Sequence, residues 1–480
     1  SSEKMDLNEY YQLASAEEVA LGLNNDIKEE KGILRDGICY LDLNTVHTYL
    51  NDRFYADYHE EWLLYTTPDE ILYAKAGEAG EDGYVPAFLQ DGTMYVALDY
   101  VKKYTNFSYS LYTEPNRAVL TTSWEEHQAA DIRKDTAVRY QGGVKSDILT
   151  EVAAGDKVTV LEEMENWSKV ATEDGFLGYV ENKRLENVRS ETLIPVTDYA
   201  EPEYTSVRRD YKINLGWHQV TTEAANSTLS SVLEGVSGMN VISPTWFFLS
   251  DNEGNFVSIG STSYVEEAHS RGLEVWALLD NFTYDVDTRE ILSYTSKRTK
   301  LIEGLIAEAL ALGVDGINVD LEQIPSDAGE DYIEFIRELS IPCRANGLVL
   351  SVDNYVPKDY NAHYHWKEQG IVADYVIIMG YDEHYGGSQE VGSVASINYV
   401  EDGISTMVQS VSPEKVINAV PFYTRIWETS GGEVKSQAVG MSAAETFLAE
   451  RGVTASWDET TCQNYAELQD GDAFYQVWLG

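Results

Sequence analysis

Three hydrophobic patterns follow one another along the chain. In residues 1–124 an apolar motif occurs twice. GICYLDLNTVHTYLN begins at Gly37 and GTMYVALDYVKKYTN at Gly92, and the two agree at Gly37/Gly92, Tyr40/Tyr95, Leu43/Leu98, Val46/Val101, Tyr49/Tyr104 and Asn51/Asn106. A second match sets LLYTTPDEILYA, from Leu63, against SLYTEPNRAVLT, from Ser110. Each copy reads as a short strand, a helical turn or two, then a hairpin. Two such copies can bury their apolar faces against each other, so an N-terminal α+β repeat domain is expected.

Residues 127–190 alternate apolar and polar positions in short stretches such as ILTEV, KVTVLEE, WSKVAT and GFLGYVE, separated by turn signals. This period of two predicts a small all-β barrel. Residues 191–209 carry Pro195 and Pro202 among Ser, Thr and Glu and read as an extended linker.

From residue 210 to 480 strands alternate with helices. The predicted strands are KINLGWHQV (Lys212), MNVISPTWFFL (Met239), EVWALLDNF (Glu274), DGINVDLE (Asp315), GLVLSVDNYV (Gly347), YVIIMGYDEH (Tyr375) and VINAVPFYTRIW (Val416). Amphipathic stretches such as KLIEGLIAEALALG from Lys300 and DYIEFIRELS from Asp331 lie between them, and Gly238, Gly272, Gly313, Gly347 and Gly370 punctuate the junctions. Cys343, at helical spacing from Leu339, belongs to such an apolar face. The alternation predicts a parallel (β/α)8 TIM-type barrel. Seven strands are legible, so the chain is expected to lack the eighth through truncation at its C-terminus.

Composition narrows the function classes. The 480 residues carry 34 Lys+Arg against 81 Asp+Glu, a formal net charge of −47. Such a charge disfavours nucleic acid and anionic membrane surfaces as partners. No apolar run approaches the roughly 18 residues of a membrane span. Cys39, Cys343 and Cys462 form no disulfide framework and no metal spacing. His363, His365 and His384 also lack metal spacing, so no metal is expected. The chain opens Ser-Ser-Glu-Lys without an initiator Met, and a trimmed, exported protein is expected.

The sharpest chemistry lies in Asp315-Gly316-Ile317-Asn318-Val319-Asp320-Leu321-Glu322. On a strand, residues two apart share a face, so Asn318, Asp320 and Glu322 point one way. Three polar groups on the inner face of a buried strand are costly unless they act. Glu322 falls at the C-terminal strand end, where barrel enzymes place their chemistry. Asp320, if ionised, would raise the pKa of Glu322 and keep it a general acid. Asn318 would hold Asp320 ionised by donating a hydrogen bond.

This octad resembles the DxxDxDxE signature of glycoside hydrolase family 18. Met379-Gly380-Tyr381-Asp382 is similar to the family's Met-x-Tyr-Asp on the sixth strand. With Asn318 at the central acidic position, and with SPTWF (Ser243), LSVDNYVP (Leu350), MGYDEHYGGSQEVGSVAS (Met379) and PFYTRIW (Pro421), the chain resembles the spore-cortex-lytic N-acetylglucosaminidase subgroup. The resemblance implies substrate-assisted retaining hydrolysis without a cofactor. It implies that Glu322 is the acid and base, that Asp320 and Tyr381 hold the substrate's acetamido group, and that Asn318, Asp315 and Asp382 support them. A tryptophan floor on the eighth strand, usual in the family, is absent from the chain. Trp167 followed by Gly178-Tyr179-Val180 resembles a bacterial SH3-type domain, which implies contact with cell-wall peptide. The N-terminal repeat resembles the copper-amine-oxidase N-terminal-like domain, although the lack of a His cluster argues against copper.

Aromatic groups near strand ends are candidates for stacking on sugar rings: Trp217, Trp246, Tyr355, Tyr423 and Trp427, with Trp246 and Tyr423 preferred. Arg425 and Asn354 complete the expected substrate-binding set. The sequence and this resemblance thus point to an extracellular, cell-wall-associated or spore-associated bacterial hydrolase, cutting β-1,4 bonds beside N-acetylglucosamine in peptidoglycan or cortex, with chitin-like glycans second. The alternative is a lectin-like wall protein without catalysis.

Overall fold

The computed structural model describes residues 1–421 and 423–480, in two compact units. The first comprises Ser1–Tyr65 and Ile71–Pro202, and the second Thr66–Glu70 and Glu203–Gly480.

In the first unit the repeated motif forms strand Ile38–Asp42 with helix Leu43–Tyr49, and strand Thr93–Ala97 with helix Leu98–Lys102. The two strands pair antiparallel, with Tyr40 opposite Ala97 and Asp42 opposite Tyr95. Since Tyr40 corresponds to Tyr95 and Asp42 to Ala97, equivalent positions exchange across the pair in a local two-fold. The matched Val46 and Val101 are both buried in the shared core. Gly37 and Gly92 open the copies at φ 76° and 77°, a backbone that favours glycine. The alternating segment 126–192 folds into a seven-stranded antiparallel sheet around Ala130, Val138, Val158, Val170 and Val180.

The second unit is built on seven parallel strands in chain order: β1 Leu215–His218, β2 Val241–Pro244, β3 Glu274–Asp280, β4 Gly316–Asp320, β5 Val349–Tyr355, β6 Tyr375–Met379 and β7 Val416–Ala419. Helices α1 Thr262–Ser270, α2 Thr295–Leu312, α3 Gly329–Ala345, α4 Trp366–Val372 and α5 Ile397–Met407 connect or flank them. Among the described residues β1 and β7 are the two edges of this TIM-barrel-like sheet. All residues of β4 and β6 are buried. Strands covered on both faces must be apolar outward as well as inward, which is why they read as continuous hydrophobic runs.

The helices follow from local chemistry. Ser261 caps α1 by accepting the N–H of Tyr264. Helix α2 buries Leu301, Ile302, Leu305, Ile306, Ala309 and Leu312 at helical spacing and stops at Gly313, whose φ is 76°. It is tied to α3 by Arg298 and Glu338, an ion pair at 3.1 Å with side chains 0% and 1% exposed. Cys343 is buried in the same core.

Three expectations change here. The predicted strand from Met239 to Leu249 breaks into β2 and a second strand, Phe247–Leu249, which pairs with β3 and with Phe256–Ser258. The predicted strand 416–427 is not one element. β7 ends at Ala419, and Tyr423–Ser430 begins a separate five-stranded antiparallel sheet covered by helix Met441–Glu450. Pro421 supplies no N–H to continue the ladder. Phe422, inside the predicted strand, lies outside the described residues. The predicted linker is also only partly extended. Ser206 Oγ and Val207 N donate to Asp374 at 2.7 and 3.0 Å, and Arg209 pairs with Glu274 at 2.8 Å, so its last residues are fastened to the parallel sheet.

Candidate active site

Asn318 and Asp320 point from β4 into the interior of the parallel sheet, and Glu322 follows just past the strand end. Asn318 is fully buried. Its Oδ1 accepts from Trp217 Nε1 on β1 at 3.0 Å and from Ser243 Oγ on β2 at 3.4 Å. Its Nδ2 donates to Ser351 Oγ at 2.9 Å and Asp353 Oδ1 at 2.8 Å, both on β5. The expected bond from Asn318 to Asp320 is therefore replaced by one to Asp353. Asp320 lies two residues along the same strand, about 7 Å away, whereas the β5 residues sit on the neighbouring strand.

Several carboxyl groups meet at this end of the sheet. Asp353 is 2% exposed. Burial, opposed by the Asn318 amide and aided by the charge of Glu322, pushes it up to about 8. Burial raises Asp320 well above the carboxylate range, with Asp353 next and Glu322 after it. Burial also raises Glu322, while hydrogen bonds from Asp320 and Tyr355 oppose the shift. The expected rise of Glu322 is thus present, but its largest cause is burial and not the charge of an ionised Asp320. Asp320 is the deeper group and is in hydrogen-bond contact with Glu322, and burial raises both carboxyls. Two carboxyls in contact share a proton, since neither can ionise freely beside the other. Asp280, level with Asp320 on β3, is raised by burial too.

The loop carrying Glu322 is pinned from several sides. Asn281 accepts the Glu322 N–H at 3.0 Å and donates to the Glu322 carbonyl at 2.9 Å. Gln323, at φ 56°, donates its N–H to Tyr355 Oη at 2.9 Å. Tyr364 Oη accepts from Ile324 N and donates to Leu321 O, both at 3.2 Å. A cavity of about 800 Å³ opens beside Glu322, lined by residues 281–289, with Phe282 58% and Tyr284 89% exposed.

Tyr381 follows β6. Burial, with Asp353, Asp320, Glu322 and Asp382 nearby, raises its phenol far above its ordinary value, so it stays a neutral donor. Its ring meets Trp217 edge-on at 6.5 Å and Tyr423 at 6.2 Å. Asp382, exposed at φ 60°, accepts a hydrogen bond from the Tyr423 hydroxyl. Trp217, Asn318, Asp320, Glu322, Tyr381, Asp382 and Tyr423 are thus brought together. Arg425 follows Tyr423 on the appended sheet. Its Cζ is 6.0 Å from the Tyr423 ring, and its Nη1 donates to Ser436 Oγ at 3.4 Å.

Four expected residues stand elsewhere. Trp246 is 0% exposed and donates to Asn226 Oδ1 at 2.7 Å with its ring against Tyr264, so it is core. Trp427, 1% exposed, is buried in the appended sheet. Asn354 faces α4, where it exchanges two hydrogen bonds of 2.8 Å with Gln369. Strand alternation dictates this, because Asp353 and Tyr355 take the inner face. Asp315 lies before β4, held by His269 Nε2 at 2.7 Å and Val275 N at 2.8 Å. Five residues of strand, about 16 Å, separate it from Asp320. Tyr355 reaches the site as a support for the Glu322 loop.

Asp353, Asp280, Asn281 and Tyr364 were missed as site residues. A signal existed for the first three, since polar residues at C-terminal ends of barrel strands face the chemistry. Asp353 also shares inner-face parity with Ser351 and Tyr355.

Residues 251–479 match the family described as Glycosyl hydrolases family 18, and residues 134–186 match the bacterial SH3 domain. The uncharacterized glycosylase YvbX of Bacillus subtilis is 26% identical over 227 residues, 45% of this chain and 65% of that protein. The cortical fragment-lytic enzyme of Bacillus anthracis is 23% identical over 209 residues, 42% of this chain and 48% of that enzyme. The chain thus spans less than two thirds of the length of these curated relatives. The spore cortex-lytic enzyme SleL of Bacillus cereus shares the fold at a TM-score of 0.51 and 19% identity, over 60% of this chain and 69% of that one.

Proposed function

Because the chain carries a family 18 glycosyl hydrolase domain, we propose that it cleaves β-1,4 bonds beside N-acetylglucosamine in peptidoglycan or spore cortex. Chitin-like oligomers are the second choice. One observation carries the reading: Glu322 and Asp320 are in hydrogen-bond contact at the C-terminal end of β4, with the neutral phenol of Tyr381 beside both.

In this reading Glu322 protonates the leaving glycosidic oxygen. The sugar's 2-acetamido oxygen attacks the anomeric carbon, and an oxazolinium ion forms. Asp320, then ionised, lies against the developing positive charge. Tyr381 donates a hydrogen bond to the acetamido group. Water opens the intermediate, with Glu322 as the base. The chemistry needs no metal or cofactor. It does require an N-acetyl sugar at the cleavage position. The 800 Å³ cavity and its exposed Phe282 and Tyr284 offer stacking surface on the Glu322 side. An extracellular or wall-associated setting follows from this substrate, and the SH3-type segment is proposed to contact wall peptide.

The test incubates the chain and its Glu322→Gln variant with peptidoglycan, cortex and chitin oligomers, and reads new reducing ends by mass spectrometry. Loss of the acid is expected to lower the rate by about 10²- to 10⁴-fold. Glycan binding without cleavage by either form would replace this reading with the lectin-like one.

A further inference from the structure

The central acidic position of the β4 motif is occupied by Asn318, which cannot titrate, yet the site contains a buried carboxyl beyond the motif. Resting on the glycosidase reading above, we propose that Asp353 serves as a neutral carboxylic acid whose Oδ2–H supports Asp320 when Asp320 ionises, with Asn318 fixing its orientation. Asp353 is a positioning residue, because it acts on the substrate through Asp320.

The geometry has three parts. β4 and β5 pair in register at Asn318↔Ser351 and Val319↔Val352, so Asp320 and Asp353 stand level one step further on. Adjacent strands lie about 4.8 Å apart, and both side chains take the inner face. Asp353 Oδ1 is committed to Asn318 Nδ2 at 2.8 Å. Asp353 Oδ2 and Asp320 Oδ1 are both buried without a hydrogen-bond partner. An acid that accepts through one oxygen and carries its proton on the other presents a donor to Asp320. Asn318 sets this polarity: its amide nitrogen can only donate, so Oδ1 must be the accepting oxygen.

The proton balance is simple. The free site holds one proton on Asp353 and one shared by Asp320 and Glu322, and the Asp280 carboxyl on β3 and the neutral Tyr381 phenol after β6 face the same cluster. As the acetamido oxygen attacks, the Asp320 O–H bond breaks and an O–H bond forms at Glu322, which passes its proton to the leaving oxygen. Asp320 is left ionised beside the oxazolinium. The positive charge of the oxazolinium holds Asp320 ionised, so Asp353 keeps its own proton and donates it to Asp320 in a hydrogen bond. Were Asp353 ionised, a second negative charge beside Asp320 would oppose this step.

The pH–rate profile decides. In the parent chain a basic limb is expected near pH 8, where Asp353 loses its proton. Asp353→Asn carries a permanently neutral donor, so it is expected to keep activity within about threefold and to move that limb at least one pH unit upward. Asp353→Leu, of similar volume but without a donor, is expected to lose at least tenfold in kcat. An Asp353→Asn variant that is inactive at every pH, or whose basic limb does not move, would overturn the proposal even if Asp353→Leu fails to fold. Cleavage by the parent with an unmoved limb overturns only the role of Asp353. No cleavage by the parent of any N-acetyl glycan overturns the glycosidase reading itself.

Discussion

Tyr355 Oη accepts the backbone N–H of Gln323 at 2.9 Å and also contacts the Glu322 carboxyl. One hydroxyl therefore fixes both the loop and the side chain of the proposed acid. Gln323 adopts φ 56°, which is sparsely populated for a side-chain-bearing residue and needs such a restraint.

Tyr355→Phe removes this restraint and keeps the ring. The bond from Tyr355 lowers the Glu322 pKa. Its loss is expected to move the acid limb of the pH–rate profile to higher pH and to lower kcat about tenfold. Stability should fall by about 1 kcal/mol, as for a typical lost hydrogen bond. Steady-state kinetics across pH, with denaturant unfolding, checks all three.

Asp353 makes stability depend on pH. Its folded value of about 8 lies above its ordinary 3.8, so the folded state binds its proton more tightly. The stabilisation is complete below the ordinary value and is lost as pH rises through the folded one. Thermal unfolding of the parent should therefore fall between about pH 4 and 8. In Asp353→Asn this decline should be shallower, and parallel curves for the two proteins would contradict it.

Arg298 and Glu338 are both buried, so removing one partner strands a charge. Arg298→Ala is expected to cost about 3–5 kcal/mol in denaturant unfolding. Arg298→Met with Glu338→Leu should recover most of that loss. A double variant no more stable than the single would reject this account.

Asp315 opens the acidic motif but lies about 16 Å from Asp320. Asp315→Asn is expected to leave kcat within twofold and to lower stability by about 1 kcal/mol, through weaker bonds to His269 and Val275 N. A tenfold loss of kcat without a loss of stability would return Asp315 to the chemistry.

Much of the architecture was legible because its signals are local. The period-two stretches of 127–190 and the seven apolar runs of 212–419 each record which faces a strand must bury. The repeat at Gly37 and Gly92 carried its own evidence, and the structure pairs the two copies. The β4 octad placed Asn318, Asp320 and Glu322 on one face by strand alternation alone. The end of β7 was harder to read, because the apolar pattern runs on from Ala419 into Tyr423 although the partner strands change.

By itself the sequence determined where the seven parallel strands begin, which strand carries the acids and which side chains share a face. These depend on spacing along one chain. Only the tertiary structure decided that Trp246 is core, that Asn354 faces a helix, that Asn318 serves Asp353, and that burial raises both Asp320 and Glu322. Each of these depends on what a neighbouring element brings within hydrogen-bond distance and on how much water burial removes. Residues far apart in sequence set both, so no local pattern encodes them.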